Sequence, residues 1–178
     1  MDILDVTGLT GVHTAAKYRL GSRYTDEAGN QYRYVYVDDN VDVTAGMYLS
    51  AADNAVVGPF SVTPDRSGGS ALVKALTNAN AYPGGGIAMF AADVSEDERY
   101  GWILVDGYVG TYGARATFLT DGTAVKGSPL IPSDTDGALA IAVFYTDHDP
   151  TENTWAKVGF ADADDSATAG TGYISTGW

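Results

Sequence analysis

Two histidines and several acidic loops are the residues of this 178-residue chain whose types could do chemistry. His148 lies between Asp147 and Asp149, with Glu152 close behind, and so has the flanking carboxylates that orient a general base. The other half of the arrangement is missing, because the Gly-x-Ser-x-Gly turn that presents a nucleophilic serine occurs nowhere in the chain. His13 sits in a stretch with no clear periodicity. The run Asp134-Thr-Asp136-Gly137 imitates the middle of a calcium loop. An EF-hand needs an acid two positions earlier and a glutamate six after the glycine, where this chain has Pro132 and Val143. A turn leading into the apolar segment that follows accounts for the same residues. Asp147, Asp149 and Glu152, and then Asp162, Asp164 and Asp165, form oxygen-rich loops of a kind that can hold calcium but more commonly only face water. The glycine-rich Ser67–Ser70 and Gly84–Gly86 lack the Gly-Lys-Ser/Thr ending of a phosphate loop. With no cysteine, disulfides, thiolate catalysis and Cys-ligated metals are excluded together. No catalytic, cofactor-binding or metal-ligating residue is therefore assigned, and the chain is not expected to be an enzyme. A glycosidase is the last-ranked alternative, since its paired carboxylates are defined by separation in space and not along the chain.

What is left is binding by surfaces. Tyr32, Tyr34 and Tyr36 alternate with Arg33, Val35 and Val37, which puts the three rings on one face of a strand. Such a face either forms a platform for sugar rings or packs against a neighbouring strand or subunit, and the second reading is preferred. The chain finishes Tyr173-Ile-Ser-Thr-Gly-Trp178, which places apolar anchors after a small, acidic, glycine-rich spacer. Tyr173 and Trp178 point to a tail that docks on its own domain or on an adjacent subunit. These five aromatic residues are the interaction candidates.

The formal charge of −13, from 23 acids and 10 bases, argues against nucleic acid as a partner, because phosphate binding needs Lys and Arg to displace counterions. It argues equally against an anionic bilayer. No apolar run approaches the roughly 20 residues that span a membrane. The start Met1-Asp-Ile-Leu-Asp5 is acidic where a signal peptide is basic, so synthesis in the cytosol as a soluble protein is expected.

The elements that must position these residues read as strands. Twelve Tyr, together with frequent Val and Thr, favour sheet, and 22 Gly with many Asp and Asn favour the turns. Lys17–Tyr24 and Gln31–Val37 form a hairpin about Gly29-Asn30. Further strands are expected at Met47–Ser50 and at Ala55–Val62, the latter interrupted by Gly58-Pro59. Pro64–Ser70 reads as a loop, and Ala71–Asn80 as a helical turn or a strand. Ile87–Ala92 and Tyr100–Val109 follow, the latter as a central strand. A second hairpin is expected at Asp121-Gly122, between Thr117–Leu119 and Ala124–Val125. Leu130-Ile131, the apolar Ala138–Tyr145 and a sheet-closing Thr154–Phe160 complete the set. About ten short strands with turn signals every 8–12 residues indicate an all-β barrel or sandwich. The expected organisation is an extended N-terminal arm over 1–16, a β domain over 17–160 and a C-terminal arm over 161–178.

Gly29-Asn-Gln-Tyr-Arg-Tyr-Val-Tyr-Val37 followed by Val43-Thr-Ala-Gly-Met-Tyr-Leu49 resembles a layout common in tailed-phage virion proteins. Gly86-Ile-Ala-Met-Phe-Ala-Ala-Asp-Val-Ser with Tyr100-Gly-Trp-Ile-Leu-Val-Asp-Gly107 is similar to a second paired segment of those proteins. Thr120-Asp-Gly-Thr and Asp136-Gly-Ala-Leu-Ala-Ile-Ala142 stand where they have further turns. The resemblance spans roughly residues 29–145 in order and rests on glycine and turn patterns. Pro64–Tyr82 is longer than that pattern needs, and the tail after Phe160 has no counterpart in it. The resemblance implies a capsid decoration (cement) protein or a similar head-surface protein, with a small β-barrel or β-tulip core. It implies a homo-oligomer, trimer or dimer, that braces adjacent capsomers of the major capsid protein. It places the protein on the virion surface, and in the host cytoplasm during assembly. Another virion component (a head fibre base or a tail protein) and a carbohydrate-binding module are the alternatives.

Overall fold

The computed structural model describes residues 6–38, 42–51, 60–63, 85–111, 113, 115, 117–133, 137–141, 157–164 and 168–177. The expected breaks at Gly58-Pro59, Pro64–Ser70 and Ala71–Asn80, and the acidic loops at 134–136 and 147–152, lie outside these residues.

Asp26 sets the first hairpin. Its Oδ1 accepts from the Asn30 backbone N–H at 2.9 Å, and its Oδ2 accepts from Asn30 Nδ2 at 2.8 Å and from the Tyr32 hydroxyl at 2.7 Å. Gly29 takes a φ of +89°, the left-handed geometry that glycine supplies without steric cost. The turn joins β1 (Arg23–Thr25) to β2 (Gln31–Val37), antiparallel with Arg23 opposite Arg33. The hairpin therefore forms as the sequence indicates, with a shorter first strand. β3 (Tyr48–Ala51), β4 (Ser61–Thr63) and β5 (Gly85–Ala88) precede β6 (Tyr100–Val109), whose bounds match the sequence expectation. β7 (Phe118–Leu119), β8 (Pro129–Pro132), β9 (Leu139–Ile141), β10 (Gly159–Ala161), β11 (Ala169–Gly170) and β12 (Gly172–Ser175) follow. Val6–Leu9 makes one α-helical turn and Val94–Glu96 one 3-10 turn.

The fold is all-β. Ten strands form one mixed sheet in the order β1-β2-β4-β3-β5-β6-β12-β10-β8-β9, and β7 pairs with β11 apart from it. β2 also pairs with β6, so the succession β2, β4, β3, β5, β6 returns to its start as a ring of five strands. From the far end of β6 the sheet continues as a wing of β12, β10, β8 and β9.

Two apolar cores follow from strand alternation. Val35, Val37, Leu49, Val62, Ala88, Ile103 and Val105 belong to the ring strands and pack with Val43, Phe90 and Ala92 from their connections, which identifies this cluster as the inside of the ring. Residues of opposite parity, including Tyr32, Tyr34, Tyr48, Ile87, Trp102 and Leu104, face outward. There they meet Leu130, Leu139, Ala161 and Ile174 from the wing and Leu9 from the N-terminal segment. Most of both faces of β2 and β6 is thus covered, and β6 is central as expected.

A bulge lets one strand serve both sheets. The β2–β6 register shifts between Gln31 and Tyr32, and Gly107 adopts a φ of +146° just beyond. A Cβ on Gly107 would collide with the Asn30 side chain, whose Oδ1 accepts from the Tyr108 backbone N–H at 3.1 Å. Before the bulge Trp102 and Leu104 point into the larger core; after it Val109 does, and Tyr108 is turned to the opposite face.

Two expectations are corrected. Phe118-Leu119 pairs with Ala169-Gly170 and not with Ala124-Val125, because Thr120 bridges to Leu139, while Asp121 donates its N–H to the Leu139 carbonyl and accepts from Ser133 Oγ. The segment ending at Phe160 does not close the sheet: β10 lies inside the wing between β12 and β8. Residues 172–175, expected in a docking C-terminal arm, dock on their own domain as a strand between β6 and β10. The N-terminal segment also lies on the domain, through buried Leu9 and backbone bonds between His13 and Tyr100.

Candidate functional site

The tyrosine row on β2 is not a surface. Tyr32 and Tyr34 are 2% and 0% exposed, so neither is available to sugar or to a partner. Alternation placed the rings on one face correctly, and that face is then covered by Leu9, Tyr18, Leu20 and Tyr24. The Tyr34 hydroxyl accepts from the Lys17 N–H at 3.2 Å and lies 3.1 Å from His13 Nδ1, while its ring meets Tyr18 edge-on. Burial first, and then the hydrogen bond to Asp26, push the Tyr32 phenol far above its ordinary range; burial likewise raises Tyr34. Tyr36 is half-buried, edge-on to Tyr100 at 5.2 Å. Trp178 lies outside the described residues.

Tyr173 is exposed, and it has company that the sequence does not reveal. It is 60% exposed on β12, and Phe160, its direct partner on β10, is 50% exposed. On its other side Tyr173 faces Tyr108 of β6, with ring centroids 4.9 Å apart and planes at 43°. Tyr108, Tyr173 and Phe160 thus form a row across three adjacent strands on the outer face of the wing. An antiparallel sheet with one solvated face ordinarily carries polar residues there.

Acidic groups flank this row. On one side Asp106 lies opposite Ser175 and accepts from Gln31 Nε2 at 3.3 Å. On the other, Asp162 accepts from the Tyr108 hydroxyl at 2.6 Å and from Thr171 Oγ1 at 2.5 Å. Partial burial raises the Asp162 pKa, but these two bonds and the charge of Lys126 outweigh it and leave the carboxyl below its usual range. It is therefore ionised at neutral pH. Asp164 accepts the Lys126 backbone N–H at 2.9 Å.

A second feature lies by the first hairpin. Arg19, Leu20, Gly21, Ser22 and Phe60 line an open recess of about 330 Å³. Arg33, 6% exposed, holds its guanidinium carbon 5.2 Å from the centre of the Phe60 ring. Burial, and then the like charge of Arg23 opposite, lower the Arg33 pKa. The recess lining has no carboxylate or imidazole and so offers no acid–base pair. Among the described residues, no three His, Asp or Glu side chains converge as metal ligands do. No described helix is long and apolar enough to cross a membrane.

The fold and these surfaces define an all-β protein whose most distinctive exposed feature is an acid-flanked aromatic row. Comparison with protein-family models, curated proteins and solved structures finds no match for the chain.

Proposed function

We propose that this protein is a non-catalytic structural component of a phage particle. In this reading it binds the outer surface of the capsid as a small homo-oligomer, bridges adjacent capsomers and makes the shell harder to disrupt. The observation that carries the reading is the contiguous aromatic row in which Phe160 and Tyr173 are exposed and Tyr108 lies half-buried beside them. Exposed aromatic clusters of this kind are typical of protein contact surfaces, where aromatic side chains dominate the binding energy. The similarity of residues 29–145 to virion proteins supplies the kind of assembly. The acidic surface accords with a protein that avoids nucleic acid and membrane and is soluble in the host cytoplasm before assembly.

The same row gives a carbohydrate-binding module a specific observation in its favour, since exposed rings stack on sugars. The 43° between Tyr108 and Tyr173 counts against it, because a sugar platform is flat. The deciding experiment adds purified protein to expanded capsids that lack it. Co-sedimentation and a raised temperature of capsid disruption are expected. No binding to capsids, together with micromolar affinity for a polysaccharide, would overturn the proposal.

A further inference from the structure

The charge of this chain is unevenly placed. Residues 17–33 hold four of its ten bases, Lys17, Arg19, Arg23 and Arg33, and only two of its 23 acids, Asp26 and Glu27. Of these, Asp26 is engaged in the hairpin turn. Lys17, Arg19 and Arg23 are exposed, and Arg19 lines the recess together with Leu20 and Phe60. The wing presents the converse: protruding aromatic rings flanked by Asp106, Asp162 and Asp164, with Lys126 beside Asp162.

We propose that copies of this chain associate head to tail, the acid-flanked Tyr108–Tyr173–Phe160 row of one copy seating on the basic Arg19–Phe60 recess of the next. Shape and charge agree: rings meet an open recess lined in part by Leu20 and Phe60, and carboxylates meet guanidinium groups that also stack on aromatic faces. A symmetric contact of the row with itself would oppose carboxylate to carboxylate in a chain of charge −13, an arrangement that disfavours association. The head-to-tail contact instead uses two different surfaces, as ring-forming oligomers do. The inference gives the homo-oligomer of the proposed function its interface, and it rests on that reading only in supposing a structural role. It is tested without capsids, so the two fail separately.

The experiment is sedimentation velocity on the full chain at about 100 µM, in low salt and in 0.5 M NaCl. Two variants are compared, Phe160→Ser/Tyr173→Ser and Arg19→Glu/Arg23→Glu, all four positions being solvent-exposed or at strand edges. Wild-type protein is expected to form a closed oligomer that weakens at least tenfold in high salt. Each variant alone is expected to be monomeric, with a wild-type thermal transition. Mixed together, they retain one intact row and one intact recess between them, and are expected to form dimers and nothing larger. The single variant Phe160→Ser serves if the double variant fails to fold. A monomeric wild type, an Arg19→Glu/Arg23→Glu variant that still oligomerises, or a mixture that stays monomeric would each overturn the proposal. The first of these outcomes would leave the row free for a partner other than this chain.

Discussion

Asn30 is 5% exposed and uses every polar group it has. Its N–H and Nδ2 donate to Asp26, its carbonyl accepts the Asp26 N–H, and its Oδ1 accepts the Tyr108 N–H. One side chain therefore ties the turn of the hairpin to β6 at the bulge. Replacing Asp26 by Ala removes acceptors from Asn30 and Tyr32 at once. It is expected to cost about 1–3 kcal/mol, since partly buried donors are left without partners, and to lower the melting temperature by roughly 2–4 °C for each kcal/mol. Acid should act through the same group. Burial raises the Asp26 pKa, but bonds from Asn30 and Tyr32 outweigh it and hold the carboxyl below 3.8. A depressed carboxyl pKa gives stability that is present above its unfolded value and lost as pH falls through the folded one. Denaturant midpoints measured below pH 4 should thus fall more steeply for wild type than for Asp26→Asn. Alkali acts with the opposite sign. Tyr32 and Tyr34 have raised pKa values, so their contribution is intact below pH 10 and lost above it. In a spectrophotometric titration, phenolate absorbance from these two residues should appear only together with unfolding.

At the scale of elements, β6 was the most legible part of the chain and the closing strands the least. Ten residues between a charged turn and a glycine, seven of them apolar or aromatic, give a central strand from composition alone, and Tyr100–Val109 has those bounds. Its neighbours are set by contacts distant in sequence, so the alternation that identified each strand carried no information about which strands pair. Asp121-Gly122 shows the limit. Its turn chemistry is sound, and Gly122 has a φ of +86°, yet the flanking residues pair with β11 and bridge to β9. β6 also illustrates how a glycine can serve packing. A Cβ on Gly101 would fall within the ring of Phe90, which is 1% exposed inside the five-strand ring. Gly101→Ala is expected to destabilise by about 1–3 kcal/mol through overpacking. Adding Phe90→Leu should recover part of that loss, although Phe90→Leu alone destabilises. Chemical denaturation of the four proteins gives the coupling, and strict additivity would show that the two residues do not share this space.

For the whole molecule, the candidate site was half legible for the same reason. Tyr32 and Tyr34 were sound as one face of a strand, but whether a face is solvated depends on what else folds over it. Here the N-terminal segment does. Tyr108 and Phe160 gave no signal as surface residues, because the bulge at Gly107 turns Tyr108 outward, and Phe160 meets Tyr173 only once residues 172–175 enter the sheet. That insertion is the most consequential feature of the architecture. Within the sheet, β12 is the strand through which the described wing joins β6 of the ring, and it buries Ile174 at 1% exposure in the core they share. Thr176 adds bonds to the carbonyls of Gly85 and Val105. Residues 172–175 are thus a structural member of the sheet, and the described wing is complete only after they are in place. Amide exchange in β12 should accordingly be as slow as in β6, since both belong to one cooperative unit. A chain ending at Thr171 should expose the edges of β6 and β10, lose the aromatic row, and aggregate or fail to give a cooperative thermal transition. If instead that shortened chain melts cooperatively near the wild-type temperature, or if residues 172–175 exchange as fast as an exposed tail, the wing is held by other contacts and the chain end is an accessory.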